Sequence, residues 1–240
     1  MIDSCFCGIF STNMDTSIFI EESILGGCMR KIFSALFLVS LAFVFFSCTS
    51  TKEPEVDPNF LGDYEPIQLE NAMGWVTMFG KEKPKEIELY FIPRTNRVEM
   101  YFRDLQNRVC VILTPEHRQM MIDAALQFLS EQETGNMPDR KANSKNFYFQ
   151  SVATVGWGVT GIARVAEKSK LQFNYEYFRD KRPYFLLKAL PAPDKDEPDV
   201  YSPTIEVYFS PTQLEALYEI LNQDALQSLV DELNTKAYTY

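Results

Sequence analysis

Between Glu86 and Arg103 the chain alternates apolar and polar residues with the two-residue period of a half-buried strand. Ile87, Leu89 and Phe91 fall on one side, and Val98, Met100 and Phe102 repeat the pattern opposite Arg97, Glu99, Tyr101 and Arg103. Pro93-Arg-Thr-Asn96 lies between the two runs, so together they predict a hairpin. A second turn at Asp104–Asn107 leads into Arg108–Leu113. The period then changes. Thr114-Pro115 reads as the N-cap and first residue of a helix, and Met121, Ile122, Ala125, Leu126 and Leu129 follow at helical spacing to about Glu131.

A second block repeats this order. Strand patterns cover 147–165, 170–178, 184–190 and 204–209, and Ser210-Pro-Thr-Gln213 forms a capping box that starts another helix. Leu214, Leu217, Tyr218 and Leu221 make its apolar stripe. Asp224 and Gln227 suggest the cap of a third helix through Leu233. An apolar run at Ala72–Phe79 adds a strand of weaker period. The expected fold class is α+β: an antiparallel sheet of several hairpins covered by two or three helices, in one globular domain over 67–240. Two echoes, Ile87–Pro93 with Ile205–Pro211 and Tyr101–Asp104 with Tyr177–Asp180, occur in opposite order along the chain. Similar strands in similar surroundings explain them better than a tandem duplication.

The beginning of the chain differs in kind. Arg30 and Lys31 precede an uncharged, mostly apolar run of 15 residues, Ile32–Phe46, which fits the h-region of a signal peptide and is short for a membrane span. It ends in Phe45-Phe46-Ser47-Cys48. A small residue before a cysteine at that place resembles the lipobox of bacterial lipoproteins, in the relaxed form of spirochaetes because positions −3 and −2 are bulky. The resemblance covers residues 29–48. It implies cleavage between Ser47 and Cys48, acylation of Cys48, and attachment to a membrane through those acyl chains. Residues 29–47 are then the signal peptide, and 48–66, with Pro54, Pro58 and Pro66, a lipidated cysteine and tether. Residues 1–28 have no steady period, and Met29 is the expected start, which leaves 1–28 untranslated or mis-assigned. Thr49 after the cysteine lacks the aspartate of inner-membrane retention, which favours the outer membrane.

Composition narrows the partners. The chain carries 23 basic and 33 acidic residues, and removal of residues 1–47 leaves a charge of about −8. Such a surface excludes the basic stripe that nucleic-acid binding requires. Of five cysteines only Cys48 and Cys110 lie beyond residue 47. With Cys48 acylated, the domain must stand without a disulfide, and Cys110 reads as a small core hydrophobe.

Candidate chemistry is sparse. Gly156-Trp-Gly158-Val-Thr-Gly161 is a literal GxGxxG with Glu176 downstream, but strand alternation runs through it and little room is left for a crossover helix. Glycines on one strand face, making room for a neighbour, are the expected reading. The acidic loop around Asp194, Asp196, Glu197 and Asp199 lacks the glycine and terminal glutamate of a calcium loop. His117, the only histidine, has no nucleophile elbow to serve. No catalytic residue, metal or cofactor is assigned. Trp75, Tyr101, Trp157 and Tyr177 are candidates for an aromatic contact patch. The expected function is a non-catalytic binding or assembly module in the cell envelope, extracytoplasmic and lipid-anchored, whose partner is an envelope protein or small ligand. The alternatives are a carrier of a small apolar ligand and a carboxylate-dependent envelope hydrolase.

Overall fold

The computed structural model describes residues 57–137, 147–179 and 181–237. The expectations for 1–28, the signal peptide, Ser47, Cys48, the first part of the tether and most of the loop before Phe147 fall outside the described residues.

The alternating run at Glu86–Arg103 forms the hairpin of β3 (Lys81–Ile92) and β4 (Arg97–Asp104), followed by β5 (Asn107–Leu113) and α1 (Pro115–Glu133). Upstream lie the short β1 (Ile67–Gln68) and β2 (Ala72–Met78). Downstream are β6 (Phe149–Val159), β7 (Arg164–Phe178), β8 (Arg182–Ala189), β9 (Ile205–Phe209), α2 (Pro211–Leu221) and α3 (Gln223–Ala237). The α+β class is therefore as expected. The sheet, however, closes on itself. Its strand order is β3-β2-β9-β8-β7-β6-β5-β4, and β4 pairs back with β3, which makes an eight-stranded antiparallel barrel with β1 extending the β2 side of β3. Closure pairs β3 with β4 over Glu88–Ile92, the two strands that would be the edges of an open sheet.

Inward positions of every strand merge with the helices into one continuous core. Ile87, Leu89, Phe91, Val98, Met100, Phe102, Val109, Val111, Phe173, Phe185, Val207 and Phe209 are all fully buried in it. Phe128 of α1 reaches these inward positions, with its ring edge-on to Phe185 at 5.9 Å. β5 and β9 run in the same direction and pass directly into α1 and α2, so both helices emerge from the same end of the barrel. The other end carries the β2–β3, β4–β5 and β6–β7 hairpin tips. Val56–Tyr240 forms one compact unit with every described strand and helix.

The two halves of the first echo are equivalent in space. β3 and β9 flank β2 on either side, each ends at the helical end, and each is followed by a proline that starts a helical turn. The second echo has no such basis: Phe102 is inward and buried, whereas Phe178 belongs to an aromatic group on the outer surface.

Two further differences have local causes. The alternation through Val165 hides a turn, because β6 ends at Val159 and the chain reverses at Thr160, whose φ is +64°. Asn222, not Asp224, caps α3: its Oδ1 accepts from the Asp224 N–H at 2.9 Å, and the helix continues to Ala237. The last part of the expected tether is docked on the helical end, where the Leu61 N–H donates to the Pro93 carbonyl and the Tyr64 hydroxyl donates to Asn234.

A buried arginine joins three elements there. Arg118 of α1, 1% exposed, donates to the carbonyl and side-chain oxygens of Asn96 in the β3–β4 turn and to Gln223 at the start of α3. At the hairpin end the closure is incomplete. Ladder pairing of β3 with β4 stops at Glu88 and Tyr101, so residues 81–87 have β2 as their only strand partner. Lys85 spans this seam from the inner side, donating to the Arg103 carbonyl and to Asp104.

Candidate functional site

His117 and Ser151 lie 3.1 Å apart, His117 Nε2 to Ser151 Oγ. The His117 Nδ1 accepts from the Thr114 backbone N–H, closing a capping box at the start of α1. The proton must then sit on Nε2 and point at Ser151, which is the wrong polarity for a base that activates serine. Burial lowers the His117 pKa, as expected for a neutral ring at a helix N-terminus. The pair holds α1 to β6.

The glycine motif is also structural. Gly156 and Gly158 lie within β6, and Gly161 lies in the β6–β7 turn. A Cβ on Gly156 would strike the Ile162 side chain, and one on Gly158 would strike the Gly161 carbonyl and the Ala163 nitrogen. These glycines let the turn fold back against its own strand. The acidic loop is organised around Asp194. Its Oδ1 accepts from the N–H groups of Asp196 and Glu197, and its Oδ2 from that of Val165, each at 2.8–2.9 Å. Burial pushes the Asp194 pKa up, but these hydrogen bonds outweigh it and hold the carboxyl below its ordinary value. Among the described residues no group of three or more His, Cys, Asp or Glu is placed to hold a metal ion.

The four aromatic candidates are distributed over different surfaces. Trp75 belongs to an outer cluster that sequence reading did not assemble. In it Phe178 stacks on Tyr208 at 4.2 Å, and the Arg179 guanidinium lies 3.5 Å above the Trp75 ring. Tyr177 stands at the β7–β8 end, edge-on to Tyr175. Tyr101 is on the outer face of β4, against Tyr90 and under Arg108 at 4.2 Å. Trp157 points inward and is nearly buried. Cys110 lies beside Tyr101 in the ladder. Burial pushes its thiol far above the ordinary value, so it is inert in the folded state.

The hairpin end has the shape of a binding surface. The β4–β5 and β6–β7 tips are joined by a hydrogen bond from the Thr160 N–H to the Gln106 carbonyl at 2.8 Å. Beside that bond lies a cleft of about 260 Å³ lined by Arg103, Leu105, Gln106, Asn107, Arg108 and Thr160. A neighbouring cleft of about 430 Å³ shares Asn107 and Arg108 and extends to Phe79, Trp157, Val159 and Arg164. Arg103 and Arg108 both face the Glu88 carboxylate, at 2.8 and 3.7 Å. Two cations therefore share one anion. The sequence signal for this site was limited to apolar residues within turn segments, at Phe79, Leu105 and Ile162. Only barrel closure shows that their hairpins meet at one end.

No solved structure matches the chain. A curated relative, an uncharacterized protein of Treponema pallidum (strain Nichols), is 24% identical over 180 residues, which is 74% of this chain and 65% of the relative. The chain thus spans somewhat less than two thirds of that relative's length. A family model described as "Uncharacterised Treponema protein" matches residues 64–228, from just before β1 into α3, and the chain belongs to that family.

Proposed function

We propose that this chain is a lipid-anchored, extracytoplasmic binding or assembly module of the cell envelope, without catalytic chemistry of its own. The observation that carries the reading is the contrast between the inside and one end of the barrel. The interior is occupied by its own side chains, Phe91, Phe102, Phe173, Phe185 and Phe209 among them, whereas the hairpin end presents clefts and exposed apolar tips. A module of this kind works through its surface. The carrier alternative requires an apolar chamber, and the packed inward positions oppose it. The carboxylate-dependent hydrolase alternative requires paired acids in a cleft, and neither cleft at the hairpin end has an Asp or Glu in its lining. The address rests on Arg30 and Lys31, the apolar run to Phe46 and Ser47-Cys48, with the outer membrane favoured. Two or more acyl chains on Cys48 would hold a domain of net negative charge to a membrane without a polybasic segment.

The test is a native intact mass of the protein extracted from membranes in mild detergent. The expected species starts at Cys48 and carries acyl chains. A species retaining residues 1–47 overturns the address, and a co-purifying small molecule overturns the surface-binding reading in favour of a carrier.

A further inference from the structure

The hairpin end carries large apolar side chains that stay partly or mostly in water. Leu105 is 89% exposed, Val159 59%, Phe79 49% and Ile162 39%. Two of these also stand in a backbone conformation unfavourable to them. Phe79 has φ +53° and Leu105 φ +57°, the left-handed region where glycine or asparagine is favoured and a bulky side chain costs about 1 kcal/mol. Glycine at either place would ease the turn and remove apolar surface from water. Neither burial nor backbone geometry accounts for the residues present.

The polar surroundings indicate what they meet. Arg103 and Arg108 flank Leu105 in the cleft between two tips. They share the single Glu88 carboxylate, and among the described residues the buried Arg108 Nε has no hydrogen-bond partner. Arg164, at the edge of the neighbouring cleft, is already paired with Glu197 at 3.0 Å. Arg103 and Arg108 thus set two guanidinium groups against one carboxylate on a chain whose formal charge is −10. Narrow apolar tips that project beside guanidinium groups suit a soft, anionic, layered surface, in which side chains enter the acyl region while arginines contact phosphates. The acidic loop adjoins the second cleft, where Glu197 accepts from Arg164 at 3.0 Å, and it is tied to β7 through Asp194. The β4–β5 tip, with Arg103, Leu105 and Arg108, therefore leads the approach.

From this geometry we infer that the hairpin end of the barrel docks on an anionic phospholipid bilayer. Phe79, Leu105 and Val159 enter the acyl boundary, and Arg103 and Arg108 bind headgroup phosphates. The inference rests on the assignment of the hairpin end as the working surface. It is independent of acylation at Cys48, because these tips lie at the end away from the one where the described chain begins.

The test uses Val56–Tyr240, the self-contained unit, which lacks residues 29–48 and any acyl chain. It is floated with vesicles of phosphatidylcholine, and with vesicles of phosphatidylcholine mixed with phosphatidylglycerol. The unsubstituted chain should float with the mixed vesicles and much less with phosphatidylcholine alone. Leu105→Gly should reduce the bound fraction at least about tenfold, the loss expected for one buried leucine, while melting no lower than the unsubstituted chain. Leu105→Glu should do the same or worse. Absence of flotation with mixed vesicles, equal flotation with both, or undiminished binding by the two variants each overturns the inference. Failure here leaves the binding-module reading with a protein partner, whereas the intact-mass measurement tests the anchor alone.

Discussion

Replacement of Arg118 by methionine tests whether hydrogen bonds to a buried charge outweigh its desolvation. The guanidinium is 1% exposed and donates to three acceptors on two other elements, the Asn96 carbonyl, the Asn96 side-chain oxygen and Gln223. Burial lowers its pKa to about 10, which corresponds to a charge-burial cost of about 3 kcal/mol. Arg118→Met recovers that cost but leaves three polar atoms without donors, each worth about 1–3 kcal/mol when buried. At the middle of that range the balance is a net destabilisation of about 3 kcal/mol, with methionine filling most of the volume. Arg118→Lys should be at least as damaging, because it keeps a charge in the site without the planar fork that reaches Asn96 and Gln223 together. Urea denaturation at neutral pH measures both, with an unchanged m-value showing that the unfolded state is comparable. A methionine variant as stable as the parent, or more so, refutes the reasoning, since desolvation would then dominate, as in buried ion pairs that are improved by apolar replacement.

The other outcomes depend on single contacts. Gly158→Ala should lower stability by at least about 1–3 kcal/mol, because the new Cβ meets backbone at Gly161 and Ala163, whereas Gly161→Ala, with open space around its Cβ, should change the melting temperature little. Asp194→Ala should melt lower than the parent at neutral pH. Since the folded Asp194 carboxyl titrates below its usual 3.8, the two curves should converge as pH falls through that folded value. His117→Ala should lose about 1 kcal/mol through the cap, and His117→Gln should retain most of it, by comparison of thermal melts. The folded His117 pKa is lowered, so its stabilising contribution is complete above pH 6.5 and is lost as pH falls below it.

Local patterns in the chain were legible because their causes are local. Thr114-Pro115 and Ser210-Pro211 start helices through side chains three residues apart, and both capping boxes form. The inward faces of β3 and β4 follow from alternation alone. Barrel closure was not legible. It depends on the register between β3 and β4 and on β2 lying between β3 and β9, and neither follows from the period of one strand. The β6–β7 turn was hidden for a related reason: Val159, Ala163 and Val165 keep an even spacing across a reversal that Gly158 and the left-handed Thr160 make possible. The same limit applied to the site. Phe79, Leu105 and Ile162 are separated in sequence and meet at one end only after closure, while Trp75 and Trp157, which composition places together, belong to opposite faces of the wall.

The seam beside β3 bears on how copies of this chain coexist at high density. A strand without a neighbour on one side is a template for another chain, and sheet growth by this route ends in aggregates. Here the unpaired stretch includes Glu-Lys-Pro-Lys-Glu from Glu82 to Glu86. Pro84 has no N–H to offer an incoming strand, and Lys85 already occupies the Arg103 carbonyl across the gap. An incoming segment would have to strip charges of both signs from water before forming its first rung. This seam is thereby closed to recruitment, and copies of the domain concentrated on a surface do not polymerise through it.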